Sequence, residues 1–279
     1  MHDPLNGELG RLLALAPRDY GRINALVRQT CANTLSLPQL PAEITVDGPD
    51  DAAESAVVEF AEQFSVDVSS IGDDLRARFT SALETSVIGA VMLTFVADYL
   101  PRVRAGLEAI GLPVPWTDAV RWDHDSDPAD VLFNSFLPCV ARLRALDPVT
   151  SEIVRLRGAR QHNCRLCQSL REGNALDAGG TESLYTQIDH FETSDELTER
   201  HKAALGYVDA LIWSPAAIRP EVAAGVRTHF TEAQAFELNV DVMRNASDKI
   251  AVALATDAPR VENGTERYLI DADGQTVFS

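Results

Sequence analysis

The sequence predicts an all-α protein built from two degenerate repeats, and three observations predict it. Apolar residues recur at helical spacing through most of the chain, glycine and proline clusters cut that pattern into helices of ordinary length, and the pattern matches itself between the two halves.

Ile23, Leu26 and Val27 share one helical face, and Val57, Phe60, Ala61 and Phe64 share another. Val87, Val91 and Phe95, and then Ile153, Leu156 and Ala159, continue the pattern. Breaks fall at Pro38 and Pro41, at Asp47-Gly48-Pro49, at Gly111-Leu112-Pro113-Val114-Pro115, at Gly179-Gly180 and at Ser214-Pro215. The most apolar stretch, Val87 to Val96, is interrupted by Thr94 and followed by Asp98. It falls short of the roughly 20 residues that span a bilayer and reads as a buried core helix.

Residues 113–128 carry prolines and the acidic run Asp123-His124-Asp125-Ser126-Asp127, and read as a connector between a first repeat, 1–112, and a second, 129–262. In one alignment of the halves, Phe60 lies on Tyr207, Phe64 on Leu211, Ile71 on Ile218 and Val103 on Ile250. A second alignment lays Leu26-Val27-Arg28 on Ile153-Val154-Arg155 and puts Leu37 and Leu40 where Cys164 and Cys167 stand. The first repeat therefore has the scaffold without the thiols. In the tail, 263–279, β-formers flank Asp273-Gly274, which reads as a small hairpin or as a disordered terminus.

A chain of 279 residues can bury enough apolar surface to fold without staples. Its formal charge of −18 opposes nucleic acid and anionic lipid, so neither is expected as a partner. The opening MHDPLNGELG lacks the basic and apolar regions of a secretory signal, which leads to the expectation of a soluble, cytoplasmic protein. Of the four cysteines, Cys31 and Cys139 stand alone in apolar sequence, as small buried hydrophobes do. His124, His190, His201 and His229 lack partners at informative spacing and read as surface residues.

Chemistry concentrates at Cys164 and Cys167. Ser151 to Asn163 reads as one helix, and Cys164 to Arg171 as the first turns of the next, with Asn163 as its N-cap. On that reading the helix dipole lowers the thiol pKa values, and Arg171, one turn beyond Cys167, stabilises its thiolate. The pair alone fits a redox dithiol, half of a zinc site or two inert core cysteines. Zinc lacks a ligand set here, since His162 supplies a third donor and no fourth follows.

The spacing of Glu152, Cys164, Cys167 and a polar residue at 171 resembles the E-x11-C-x2-C-x3-H core of the alkylhydroperoxidase AhpD-like proteins, within the carboxymuconolactone decarboxylase superfamily. The resemblance extends over Pro148 to about Pro259 and more weakly over Asp19 to Leu112. It implies an oligomeric helical bundle that reduces a peroxide or a disulfide through a cysteine pair, re-reduced by a protein thiol. Carried onto this chain, Cys167 is the attacking thiol, Cys164 the resolving thiol and Glu152 the distal base of a proton relay. Arg171 stands where the family has histidine, and a guanidinium cannot relay a proton near neutrality. His162 is the candidate substitute. No glycine-rich phosphate loop occurs, so no bound cofactor is expected. A non-catalytic interaction protein of the same fold, and a lactone-decarboxylase type of proton transfer, stay open beside this reading.

Overall fold

The computed structural model of the chain describes residues 3–117 and 120–278. Met1 and His2, Asp118 and Ala119 of the connector, and Ser279 of the tail lie outside the described residues. The first half consists of α1 (Asp3–Ala14), α2 (Gly21–Leu35), α3 (Ala52–Asp67), α4 (Asp73–Leu83) and α5 (Val87–Ile110). Asp51 starts α3 by accepting the Glu54 amide at 2.8 Å, which satisfies one orphan N–H of the first turn. Gly111 ends α5 at φ 80°, a left-handed conformation that costs glycine nothing.

The second half holds α6 (Pro128–Asp130), a π-helical turn at Val131–Phe136, α7 (Leu137–Ala141), α8 (Pro148–Gln161), α9 (Arg165–Gln168) and β1 (Leu170–Glu172). There follow α10 (Gly173–Asp177), α11 (Glu182–Thr186), α12 (Glu199–Trp213), α13 (Pro220–His229), α14 (Glu232–Asn245) and α15 (Asp248–Ala253), then β2 (Glu266–Ile270) and β3 (Thr276–Phe278). The architecture is all-α with one small sheet.

The order of elements repeats. α3 leads through the 3-10 turn Val68–Ser70 into α4 and then the long apolar α5; α12 leads through the 3-10 turn Pro215–Ala217 into α13 and then α14. Ile71 and Ile218 each follow directly on those turns. The connector is pinned, since Asp123 exchanges backbone hydrogen bonds with Ala14 and Ala16 at 2.9 and 2.8 Å.

Among the described residues the main apolar core runs through both halves, from Leu5 to Ala253, with α5 at its centre against α2, α12, α13, α14 and α15, and two smaller clusters lie beside it, around Ile153 and Leu205 and around Leu26 and Val46. By length and composition α5 could cross a membrane; here it is the core helix, buried on all sides from Gly89 to Val103. Its polar residues are satisfied internally. Thr94 bonds back to the Ala90 carbonyl at 2.8 Å, and Asp98, 0% exposed, is held by Arg102 at 2.7 Å and Lys249 at 2.5 Å. Arg102 also caps carbonyls at the ends of two other helices, those of Ser65 in α3 and of Leu211 and Ile212 in α12.

The tail forms the expected hairpin and does more. β2 and β3 pair antiparallel across a turn in which Asp271 accepts the Asp273 and Gln275 amides and Gly274 takes φ 82°. β2 also pairs in parallel with β1, Arg171 opposite Arg267 and Glu172 opposite Tyr268. The residues directly after the cysteine pair are thus a strand, where the sequence reading had a helix.

Candidate active site

The Cys164 to Gln168 segment is shaped by its neighbours rather than by helix propensity. Gln161 ends α8, and Asn163 turns the chain through a left-handed conformation at φ 53°, which asparagine tolerates better than most residues. The N-cap of α9 is therefore Cys164, not Asn163: its Sγ accepts the Cys167 amide at 3.2 Å. Arg155 holds the far end of the segment by donating to the Cys167 and Leu170 carbonyls, each at 2.8 Å. Asp257 holds the near end, accepting the Arg165 amide at 3.0 Å and its guanidinium at 2.8 Å. Arg28, which the alignment of the two halves lays on Arg155, likewise bonds loop carbonyls, those of Leu13, Leu15 and Pro41.

This clamp brings the two sulfurs to 2.7 Å, both cysteines being free. That separation is inside ordinary non-bonded contact and outside the roughly 2.05 Å of a disulfide. Cys164 is fully buried, whereas Cys167 is half-buried and lines a cavity of about 520 Å³. Phe133, Leu137, Leu166 and Ile250 give this cavity apolar walls, Arg244 and Asp248 add charge, and Gly274 to Thr276 of the hairpin turn close one side. Phe133 belongs to the π turn, a local distortion that often sits at functional sites.

The thiol electrostatics run against the sequence reading. α9 is a single turn of four residues, too short to develop a useful dipole. Contact with the Cys164 sulfur, burial and the nearby Asp248 carboxylate push the Cys167 thiol well above the usual cysteine range, with Arg155 opposing them. Arg171 does not take part. It lies in β1, gives its guanidinium to Glu182 at 2.7 and 2.9 Å and to the Gln168 and Leu170 carbonyls, and stacks over Tyr185.

Glu152 is buried and committed to Arg155, with two bonds of 2.6 and 2.7 Å, and also accepts the Glu172 amide at 3.2 Å. It faces a different cavity from Cys167, one of about 350 Å³ that it lines with Ser151, Glu172, Glu237 and Asp241; Arg155 borders both. His162 is only 4% exposed. Its Nδ1 sits 2.8 Å from Asp248 Oδ1 and its Nε2 3.2 Å from the Tyr99 hydroxyl. A carboxylate oxygen of Asp248 lies within 4.8 Å of both sulfurs. The third donor beside the thiols is therefore Asp248, with His162 one bond behind it. Three donors fall short of the four of a closed zinc site. Of the other histidines, His190 is exposed, while His124, His201 and His229 are half-buried.

Asp248 and Arg155 are the residues that sequence reasoning missed. Neither has motif spacing to the thiols. The available signal was a charged pair, Asp248-Lys249, opening the apolar run Ile250 to Leu254, beside one of only two lysines in the chain.

No family model matches the chain, and no solved structure matches it. Two relatives from Mycobacterium tuberculosis do: Uncharacterized protein Rv2313c of strain H37Rv and Uncharacterized protein MT2376 of strain CDC 1551. Each is 58% identical over 275 residues, which cover 97% of this chain and 96% of the relative. With that identity running over nearly the whole of both chains, this protein belongs to the family of those mycobacterial proteins.

Proposed function

We propose a thiol-dependent oxidoreductase of the AhpD-like type that reduces a peroxide or a disulfide through a Cys164/Cys167 dithiol–disulfide cycle. The observation that carries this reading is the sulfur pair itself: two free thiols at 2.7 Å, one sealed in the core and one lining a cavity. The asymmetry supports the roles. Cys167 meets the oxidant, and Cys164, buried beside it, resolves.

With a peroxide, the Cys167 thiolate attacks one oxygen and the O–O bond breaks. The leaving alkoxide takes a proton, and Cys167 becomes a sulfenic acid. Cys164 then attacks that sulfur, the S–S bond forms and water departs. The dithiol loses two electrons and two protons, and the peroxide becomes alcohol and water. A protein dithiol returns the pair to its reduced form by exchange. As in the family it resembles, the chain is read as a homo-oligomer; a light-scattering mass near 30.4 kDa at micromolar concentration would overturn that.

The test is consumption of hydrogen peroxide, an organic hydroperoxide and a small disulfide by the purified chain. Loss of activity in both Cys164→Ser and Cys167→Ser is expected. A proton-transfer enzyme is the second reading, favoured by one observation: Glu237 and Asp241, one turn apart on α14, line the smaller cavity, and burial raises both carboxyl pKa values, Glu237 to about 7. Activity that survives both serine substitutions and is lost in Glu237→Gln would select it.

A further inference from the structure

The Cys167 cavity has a second polar feature, at the corner where α14 ends and α15 begins. Arg244, Asn245, Ser247 and Asp248 line it there. Two of the charged groups on this cavity are already committed. Arg155 gives Nε and Nη2 to Glu152 and Nη1 to the Cys167 carbonyl, and Asp248 holds His162 at 2.8 Å. Arg244 is different. It spends one nitrogen, Nη1, on Asp241 at 3.2 Å and on Asn245 Oδ1 at 3.4 Å, and among the described residues its Nε and Nη2 donate to nothing.

The unspent edge is the one with which this chain grips carboxylates. Arg22 turns Nε and Nη2 on Glu54 at 2.6 and 2.8 Å, Arg157 on Asp209 at 2.7 and 2.6 Å, and Arg171 on Glu182 at 2.7 and 2.9 Å. Two parallel N–H groups match the two oxygens of a carboxylate. Asp241 lines the smaller cavity and not this one, so Nη1 is drawn toward the smaller cavity and the other edge is left for the Cys167 side. Neither free nitrogen is sealed by protein. Beside them Asn245 Nδ2 is sealed; it lies toward Asp241 but completes no hydrogen bond. A buried donor of that kind costs free energy until an acceptor reaches it.

We propose that Arg244 and Asn245 form a carboxylate subsite of the Cys167 cavity, and that the oxidant is an apolar carboxylic acid whose peroxide or disulfide bond lies away from its carboxylate. The subsite stands on geometry; the identity of the oxidant rests on the redox reading of the thiols. Phe133, Leu137, Leu166 and Ile250 supply apolar walls for the body of such a molecule, and about 520 Å³ is room of the order that small organic ligands occupy. Charge sets the direction of entry. The charged side chains that act on Cys167 are Asp248 and Arg155, and Glu152 neutralises Arg155, so an anion is opposed at the sulfur and held at Arg244. The reacting bond, not the carboxylate, is thereby presented to the thiol.

The binding test uses para-isopropylbenzoate and para-isopropylbenzamide, which share an apolar body and differ in charge, titrated by calorimetry into the reduced full-length chain at pH 7. The acid is expected to bind about 10–100-fold more tightly, the range of a charged hydrogen bond, and to slow alkylation of Cys167 by iodoacetamide. Arg244→Met is expected to erase the preference. Arg244→Lys is expected to restore only part of it, since an ammonium lacks the fork. The turnover test compares cumene hydroperoxide with its para-carboxylate, where the peroxide and the anion sit at opposite ends of one ring. The ratio of kcat/KM, acid over neutral, is expected to be about tenfold or more in the wild type and near one in Arg244→Met.

Equal binding of acid and amide by the wild type, or acid binding that leaves Cys167 alkylation unchanged, overturns the subsite whether or not the variants fold. A preference for the acid that survives in folded Arg244→Met overturns the assignment to Arg244. Wild-type protein that prefers the acid but consumes neither hydroperoxide nor a small disulfide overturns the redox reading and the identity of the oxidant with it, while the subsite stands.

Discussion

Arg171 stands four residues after Cys167 and gives its charge to Glu182, through a two-point ion pair at 2.7 and 2.9 Å, rather than to the thiol. Arg171→Met is therefore expected to leave the alkylation rate of Cys167 at neutral pH within about twofold of wild type, while unfolding by urea shows a loss of about 1–2 kcal/mol from the broken pair and carbonyl bonds. A large fall in alkylation with stability unchanged would return Arg171 to the site.

Mild oxidation is expected to remove two hydrogens from the chain and to localise the change to the peptide joining Cys164 and Cys167, because the sulfurs already touch. In Cys164→Ser the same treatment is expected to drive Cys167 on to sulfinic acid, since nothing captures the sulfenic intermediate. Peptide mass spectrometry reads both. Sulfinic acid on Cys167 in the wild type, with no disulfide, would deny Cys164 its resolving role.

Glu237 offers a pH test on stability. Its carboxyl is raised to about 7 by burial, although it accepts the Ala145 amide at 2.6 Å. A carboxyl that binds its proton more tightly when folded adds stability that is complete below the unfolded pKa of about 4.3 and is lost as pH rises through the folded value. Glu237→Gln keeps an acceptor oxygen without the charge. It is expected to be more stable than wild type at pH 8 and to lose that advantage by pH 5, as followed by thermal melts across the range.

The Asp98, Arg102 and Lys249 cluster is ranked by counting charges. Asp98→Asn leaves two buried cations unopposed and is expected to cost about 3–5 kcal/mol, whereas Lys249→Met leaves a balanced Asp98–Arg102 pair and is expected to cost less than half as much. Urea denaturation of the two variants gives the order, and equal losses would contradict the assignment of Asp98 as the shared counter-ion.

The helical scaffold was legible because its signal is periodic and local: Phe60 and Phe64, or Tyr207 and Leu211, declare a buried face within two turns. The hairpin was legible from its Asp-Gly turn, but its partner β1 was not, since a three-residue strand pairing with a segment far along the chain leaves no local trace. The thiol pair announced itself by spacing. Its surroundings did not: Asp248 and Arg155 reach it through tertiary contacts, and the helix expected through Arg171 stops at Gln168 because strand pairing with Glu266 to Tyr268 competes for the same backbone. His162 was named from its proximity in sequence, and its burial against Tyr99 could not be read there.

The cavity before Cys167 draws its walls from the π turn, from α9, from the α14 to α15 corner and from the hairpin turn, segments scattered over half the chain. Such an arrangement is not portable. Moving Ser151 to Glu172 into another scaffold would transfer both cysteines and the arginine that clamps them, yet leave behind Asp248 and the hairpin-turn residues Gly274 to Thr276. The excised segment would behave as an ordinary vicinal dithiol, open to any reagent, and for protein engineers the smallest unit worth transplanting is the whole fold.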